Sequence, residues 1–489
     1  MCRTRRAVPL LLSLFLAVVL TGFSDADAAT PAAAYSYPVP SRLVMTVRET
    51  AGIARTQEVV RSGVPLPRSL NVVDTSRLAV IDPNGAPVPA EFRVLARWNA
   101  GRSGATPIQW LMVAFPASVG ARASASYTLV TNGSVANPAP SRPLTLIQSG
   151  NAFTVDTGAA IFRFGAGSGA LFDEVVLDNG TRLVGGSAMT MRANGANGSH
   201  STTRRAWIEQ SGPLSAVVVV EGAYGLAAVG TGGFATTRRY VFTWGSPTAV
   251  VRHVVKWEGT LDSACPGCII KNGVVNGVLV EQVRDALNVE LGGTPTVTAV
   301  GAFDAPAVEA PVALGKAAWV RQLLRPSRSA PMQLSVQAGA TATGGKADGG
   351  LLAAAGPRGA VAVGLAQMHR YEPQALRLLE DGRLAVDLAD GTAWLSHHQG
   401  MFATLAVTAL PQKPSRADLD RLTWAPLNRP LHAWPEAAWF ASSDAVEEFP
   451  VGALPADLAS YDTLLPKVLS KTYQEIDRAG IPGLMTYGV

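Results

Sequence analysis

The sequence predicts a mostly β protein: an N-terminal β-barrel, a large antiparallel β-sandwich and a short α-helical C-terminal tail. Three observations carry that expectation. Hydrophobic residues make up 48% of the 489 positions and charged residues 16%, too apolar a balance for a disordered chain. The 48 glycines and 33 prolines are scattered without a three-residue period, which excludes collagen and favours turn-rich strands. Short alternating segments recur between turn signals along most of the chain. A formal charge of +5, with no basic run and no zinc-finger spacing, argues against nucleic acid as a partner.

Residues 1–28 read as an export signal. Arg3, Arg5 and Arg6 form a positive start, and residues 7–20 an apolar stretch too short for an ordinary spanning helix. Ala26-Asp27-Ala28 then supplies the small-x-small pattern that a signal peptidase cuts, the alternative being an uncleaved anchor. No later stretch nears the ~18 uninterrupted apolar residues of a membrane helix. The expectation is a secreted or periplasmic protein with no membrane partner after cleavage. Residues 29–41, small and Pro-rich, suit a linker. Cys265 and Cys268, in Cys-Pro-Gly-Cys, fit a small disulfide in an oxidising compartment, with free thiols or redox chemistry as alternatives. A redox pair would want a helix opening at the first Cys, and the flanking sequence reads as strand. No further ligands stand nearby for a metal, and no cofactor motif is present.

Residues 42–143 read as the barrel domain. Its strands are Arg42–Arg48, Leu78–Ile81, Glu91–Ala96, Ile108–Phe115 and Ser126–Val130, parted by turns at Val64-Pro65-Leu66-Pro67, Asp82-Pro83-Asn84-Gly85 and Asn132-Gly133. The prolines of Asn137–Pro143 mark a connector. Residues 144–411 read as the sandwich. Asp178-Asn179-Gly180 turns a hairpin between alternating segments, Val217–Val220 suits a strand covered on both faces, and Arg238–Trp244 and Val250–Trp257 are the clearest strands. Residues 412–489 differ. Trp424, Trp434 and Trp439 crowd together, and Asp462–Ala479 places Leu464, Leu465, Val468, Leu469, Tyr473 and Ile476 at helical spacing. One amphipathic helix cannot bury its own face, so it must pack on the β-domain or on something outside this chain.

Three stretches carry a resemblance. Ser62-Gly63-Val64-Pro65-Leu66-Pro67-Arg68 is followed by Leu78–Val80 and Asp82-Pro83-Asn84-Gly85-Ala86-Pro87-Val88-Pro89. Ala96-Arg97-Trp98, a Gly/Ser loop and Gln109-Trp110-Leu111 come next. Later stands His369-Arg370-Tyr371-Glu372-Pro373-Gln374-Ala375-Leu376 with an Asp381-Gly382 turn. In this order and spacing they resemble the exo-rhamnogalacturonan lyase family, also called the YetA-like or RIFT-barrel family, over roughly residues 42–410. The resemblance implies a barrel, a sandwich and an α/α toroid, and a lyase that removes an unsaturated galacturonosyl-rhamnose unit from a pectic chain end. The Trp-rich segment and helix would then be the start of a truncated toroid, with a separate helical domain as a partner. A non-catalytic carbohydrate-binding or scaffold protein is the alternative.

The chemistry selects residue types. β-Elimination on a uronate removes the weakly acidic C5 proton, so a cation must neutralise the adjacent carboxylate, a base must take the proton and an acid must protonate the leaving oxygen. No acidic cluster suggests calcium, which leaves Arg or Lys to assist. His369, Arg370 and Tyr371 gather a base, a carboxylate partner and a phenol, with His398 (or its neighbour His397) on a second polar loop, as catalytic candidates. Strand alternation puts Arg252 and Lys256 on one face and His253 on the other, so that His253 reads as a core residue. Arg239, Arg252 and Lys256 are candidates for holding an acidic polysaccharide, and His432 with Trp434 for a sugar-stacking platform. For each of these the alternative is a solvated or docked side chain.

Overall fold

The computed structural model describes residues 41–99, 106–165, 169–225, 233–258, 270–271, 274–275, 278–326, 330–395, 399–445, 456 and 459–479. Residues 1–28 and the linker up to residue 40, Cys265, Cys268, His397 and His398 lie outside them. The described chain is overwhelmingly antiparallel β. No described helix is long and apolar enough to cross a membrane.

Alternation works locally as expected. The hairpin at residues 178–180 closes with the Leu177 amide donating to the Thr181 carbonyl at 2.9 Å, and Gly180 takes the left-handed conformation (φ +83°) that the turn requires. It joins the strands Glu174–Leu177 and Arg182–Ala193. Gly350–Gly356 and Gly359–Leu365 pair as a hairpin, and Leu384–Leu395 forms one long strand.

Two sheets make the sandwich. One runs, in pairing order, from Thr145–Ser149 through Arg182–Ala193, Val278–Val289, Leu384–Leu395 and Ala318–Leu323 to Ala340–Gly344. The other runs from Ala196–Ser211 through Ser215–Gly225, Gly233–Thr243, Thr248–Trp257, Gly400–Leu410 and Gly359–Leu365 to Val308–Pro311. Apolar residues from both fill the space between, among them Phe162, Phe164, Tyr240, Phe242, Val283 and Leu405. Within that core sits a charged cluster: Asp285 accepts from Arg238 Nη2 at 2.6 Å and meets His253 Nδ1 at 2.9 Å. His253 is therefore a core histidine, as alternation indicates.

The N-terminal strands do not close into one barrel. They form a five-stranded sheet containing Arg42–Arg48 and Ser124–Val130, and a three-stranded sheet of Arg55–Pro65, Ile108–Val119 and Glu91–Arg97. The Phe115 and Tyr127 rings, 4.8 Å apart, join them through side chains rather than through a hydrogen-bonded ladder. Residues 55–65 form a strand that the prolines at 65 and 67 disguise as a turn. Pro65 can end a strand without a ladder amide, and the turn proper begins at Pro67.

Glu91 bolts this part to the sandwich. Its carboxylate accepts from Gln210 Nε2 at 2.7 Å, Ser215 Oγ at 3.1 Å and the Leu214 amide at 3.2 Å. Gly212 leaves the room: a Cβ there would lie 2.2 Å from the Glu91 carboxyl carbon. Glu91→Ala strands these donors at a closed contact, so chemical denaturation should report a loss of about 1–3 kcal/mol. A variant as stable as the parent would show that the bolt contributes nothing.

The Trp-rich segment packs on the β-sheets as part of the same unit. Trp424 stacks on Phe303 with centroids 4.2 Å apart, and the Trp439 indole donates to the Pro65 carbonyl at 2.6 Å. Ala433–Pro435 adds a strand to the five-stranded sheet beside Arg42–Arg48. The reason is complementarity: apolar positions of the sheets would be bare without these rings. The final helix spans Ala459–Ala479, a turn earlier than its spacing indicates, with Pro466 inside it. Leu464, Leu465, Val468, Leu469 and Tyr473 on it are exposed.

Candidate functional site

A hollow of about 400 Å³ opens where the Arg55–Pro65 strand, the outer face of the second sandwich sheet and the tail meet. Its apolar floor includes Val59, Val241, Val250, Leu427 and Leu431, and its charged lining is Glu58, Arg61, Arg252 and Arg421, with His432 at the rim. Three guanidiniums thus face one carboxylate. Glu58 is already engaged, accepting from Arg55 Nη1 at 2.6 Å and from the Leu431 amide at 3.1 Å. Arg421 donates to Asp418 at 3.3 Å.

Register explains the cationic face. Alternation sends Arg238 and His253 inward together, so their neighbours Arg239 and Arg252 point outward as direct cross-strand partners. Like charges placed opposite one another repel. Glu209 relieves Arg239 with a two-pronged contact at 2.7 and 2.6 Å. Arg252 has no ion pair among the described residues, and its guanidinium lies 5.4 Å from the Phe402 ring. Lys256 is further along the same face, half-buried and 3.6 Å from Glu258. Arg61 reaches in from the opposite wall. Its Nη2 donates to the Phe242 carbonyl at 3.3 Å, and its Nε is buried without a hydrogen-bond partner. Burial pulls the Arg61 guanidinium below its ordinary value.

The catalytic candidates divide. Tyr371 meets the Phe402 ring edge-on with centroids 5.3 Å apart, the ring that Arg252 also approaches, and it is near enough to feel the Arg252 charge. Burial pushes the Tyr371 phenol up, against the pull of Arg370 and Arg252, and it stays protonated. Arg370 is half-buried. His369 is placed differently from the expectation of an open loop. Residues 368–370 form a tight turn that tucks the imidazole under the surface, 3% exposed, with Nδ1 2.9 Å from the Ala347 carbonyl. Since Nδ1 faces an acceptor, it carries the proton. His398 falls outside the described residues. The stacking pair is present: Trp434 points outward from the Ala433–Pro435 strand and His432 stands just before it, with ring centroids 6.1 Å apart and Trp434 63% exposed.

Arg61 and Arg421 were not visible as site residues in the sequence. The signal for Arg61 was the alternation of Val60 and Val64 with Arg61 and Gly63, hidden by the adjacent prolines. Among the described residues no group of three or more His, Cys, Asp or Glu gathers as a metal site.

No family model matches the chain, and no curated protein matches it in sequence. Among solved structures the chain is similar to an α-mannosidase from Enterococcus faecalis V583, with 11% identity and a TM-score of 0.45, over 82% of this chain and 47% of that one. It is similar to a galactose mutarotase-like protein from Lactobacillus casei ATCC 334, with 10% identity and a TM-score of 0.28, over 54% of this chain and 99% of that one. It is also similar to a glycoside hydrolase family 97 enzyme from Pseudoalteromonas sp. strain K8, with 13% identity and a TM-score of 0.28, over 54% and 35%. The chain spans about half the length of the mannosidase, and likeness at this level transfers no activity.

Proposed function

We propose that this chain is an exported carbohydrate-active protein that binds an acidic, uronate-bearing polysaccharide in the cationic hollow. The observation that carries the reading is Arg252, outward and free of an ion pair among the described residues, in a hollow it shares with Arg61 and Arg421. A guanidinium fork suits a carboxylate, the apolar floor suits a pyranose face, and Trp434 extends a stacking surface from the rim.

The reaction served, in line with the resemblance to exo-rhamnogalacturonan lyases, is β-elimination. The C5 proton leaves to a base, the C4–C5 double bond forms and the C4 oxygen departs with a proton. Arg252 would neutralise the uronate carboxylate, and the protonated Tyr371 beside it would supply the proton to the leaving oxygen. The buried setting of His369 favours the second reading, binding without catalysis, because it withdraws the imidazole nearest Tyr371 in sequence from the role of base.

The test follows the ultraviolet absorbance of the unsaturated uronate as purified protein meets rhamnogalacturonan. A rise that Tyr371→Phe lowers at least tenfold, with binding retained, supports elimination. A flat trace with retained binding leaves the binding reading alone. Failure to bind the polymer at all removes both.

A further inference from the structure

Arg61 lines a second hollow as well as the first. This one, of about 280 Å³, lies between the Glu91–Arg97 strand and the sandwich and is lined by Arg61, Arg93, Leu95, Glu209 and Arg239 among others. Three guanidiniums converge there on Glu209. Hydrogen bonds from Arg239, aided by the nearby charges of Arg93 and Arg61, hold its carboxyl below the usual range. Glu209 satisfies only Arg239. Arg93 is exposed, and its side chain makes no hydrogen bond or ion pair among the described residues. The buried Nε of Arg61 has no partner. Glu91, the other carboxylate near Arg61, already accepts from Gln210, Ser215 and Leu214. Glu209 thus does for Arg239 what a ligand carboxylate would do for Arg93 and Arg61.

We infer that the Arg93–Arg61–Arg239 hollow is a second carboxylate subsite, taking another uronate of the same acidic chain whose first uronate rests at Arg252. The inference rests on the reading of the main hollow and deepens it. The ligand must be a polyuronate long enough to span both hollows, and Arg61, lining each, would stand between the two carboxylates. The outward row of Arg239 and Arg252, direct partners across one ladder, gives the chain a cationic path between them.

The test titrates the full protein calorimetrically with oligogalacturonides of increasing length. Affinity should rise by about tenfold at the length that first reaches the second hollow. Arg93→Ala, on an exposed strand position of the second hollow alone, should abolish that rise and leave the shortest ligands unchanged. Methyl-esterified oligomers, which lack the carboxylates, should show no rise. The inference is overturned if Arg93→Ala matches the parent at every length, or weakens all lengths equally. Wild-type protein that binds no galacturonide of any length would instead remove the reading of the main hollow, and this inference with it.

Discussion

Replacing Asp285 with alanine is expected to cost about 3–5 kcal/mol of folding stability, the largest single loss the structure implies. Asp285 and His253 are both 0% exposed, and Arg238 is 5% exposed. Besides Asp285, Arg238 donates to the carbonyls of Gly169 at 2.8 Å and Ala170 at 2.9 Å. Those carbonyls satisfy hydrogen bonds but carry no countercharge, so the variant would leave a buried guanidinium uncompensated. Urea denaturation is the measurement, and a loss under 1 kcal/mol would refute the argument.

The same cluster sets a pH dependence. Burial, then the nearby Arg238 charge, pushes the His253 imidazole below its ordinary value, so it is neutral when folded. Burial alone would raise the Asp285 carboxyl, but Arg238 and His253 together bring it below its ordinary value. For both groups the unfolded chain binds protons at a pH where the folded one does not, so acid favours unfolding. The His253 contribution is present above an unfolded value near about 6.5 and falls away below it. The Asp285 contribution is lost at lower pH, from about 3.9 downward. Denaturation midpoints should therefore drop between neutral pH and pH 5. A flat profile there would show that His253 titrates alike in both states.

Arg252→Ala should weaken binding of polygalacturonate by roughly 10- to 100-fold while leaving the fold intact. A charge-assisted hydrogen bond contributes about 1.5–3 kcal/mol, and each 1.4 kcal/mol is a factor of ten. Stability should hold because Arg252 is exposed and faces Arg239 across the ladder, so removing it relieves a repulsion. Arg252→Lys should recover part of the loss, since an ammonium keeps the charge but not the fork. Binding by the parent should also weaken with added salt, because the exposed guanidinium is screened over a Debye length of about 8–10 Å. Unchanged affinity in Arg252→Ala would place the ligand elsewhere.

Strand faces were legible because alternation has a period of two and is local. Val250–Trp257 announced that Arg252 and Lys256 point one way and His253 the other, and the structure agrees. Trp434 was legible as an aromatic of interest but not as the exposed one of its group, since Trp424 and Trp439 have equally apolar rings and are buried. Arg61 was masked by prolines that read as a turn, and Arg421 by a helical turn whose neighbours are far away in sequence. His369 looked like a loop base because its environment is supplied by the Ala347 carbonyl, 22 residues earlier.

The sequence alone determined the antiparallel β class, the hairpin turn at 178–180 and the sidedness of each clear strand, because these follow from backbone sterics and short-range pattern. Only the tertiary structure decided that the N-terminal strands form two sheets instead of a closed barrel, and that the Trp-rich tail docks on both β-parts. It alone set Arg239 opposite Arg252 with Arg61 facing them. Those outcomes depend on which strands pair and in what register, and that is chosen by burial summed over the whole core rather than by any local stretch.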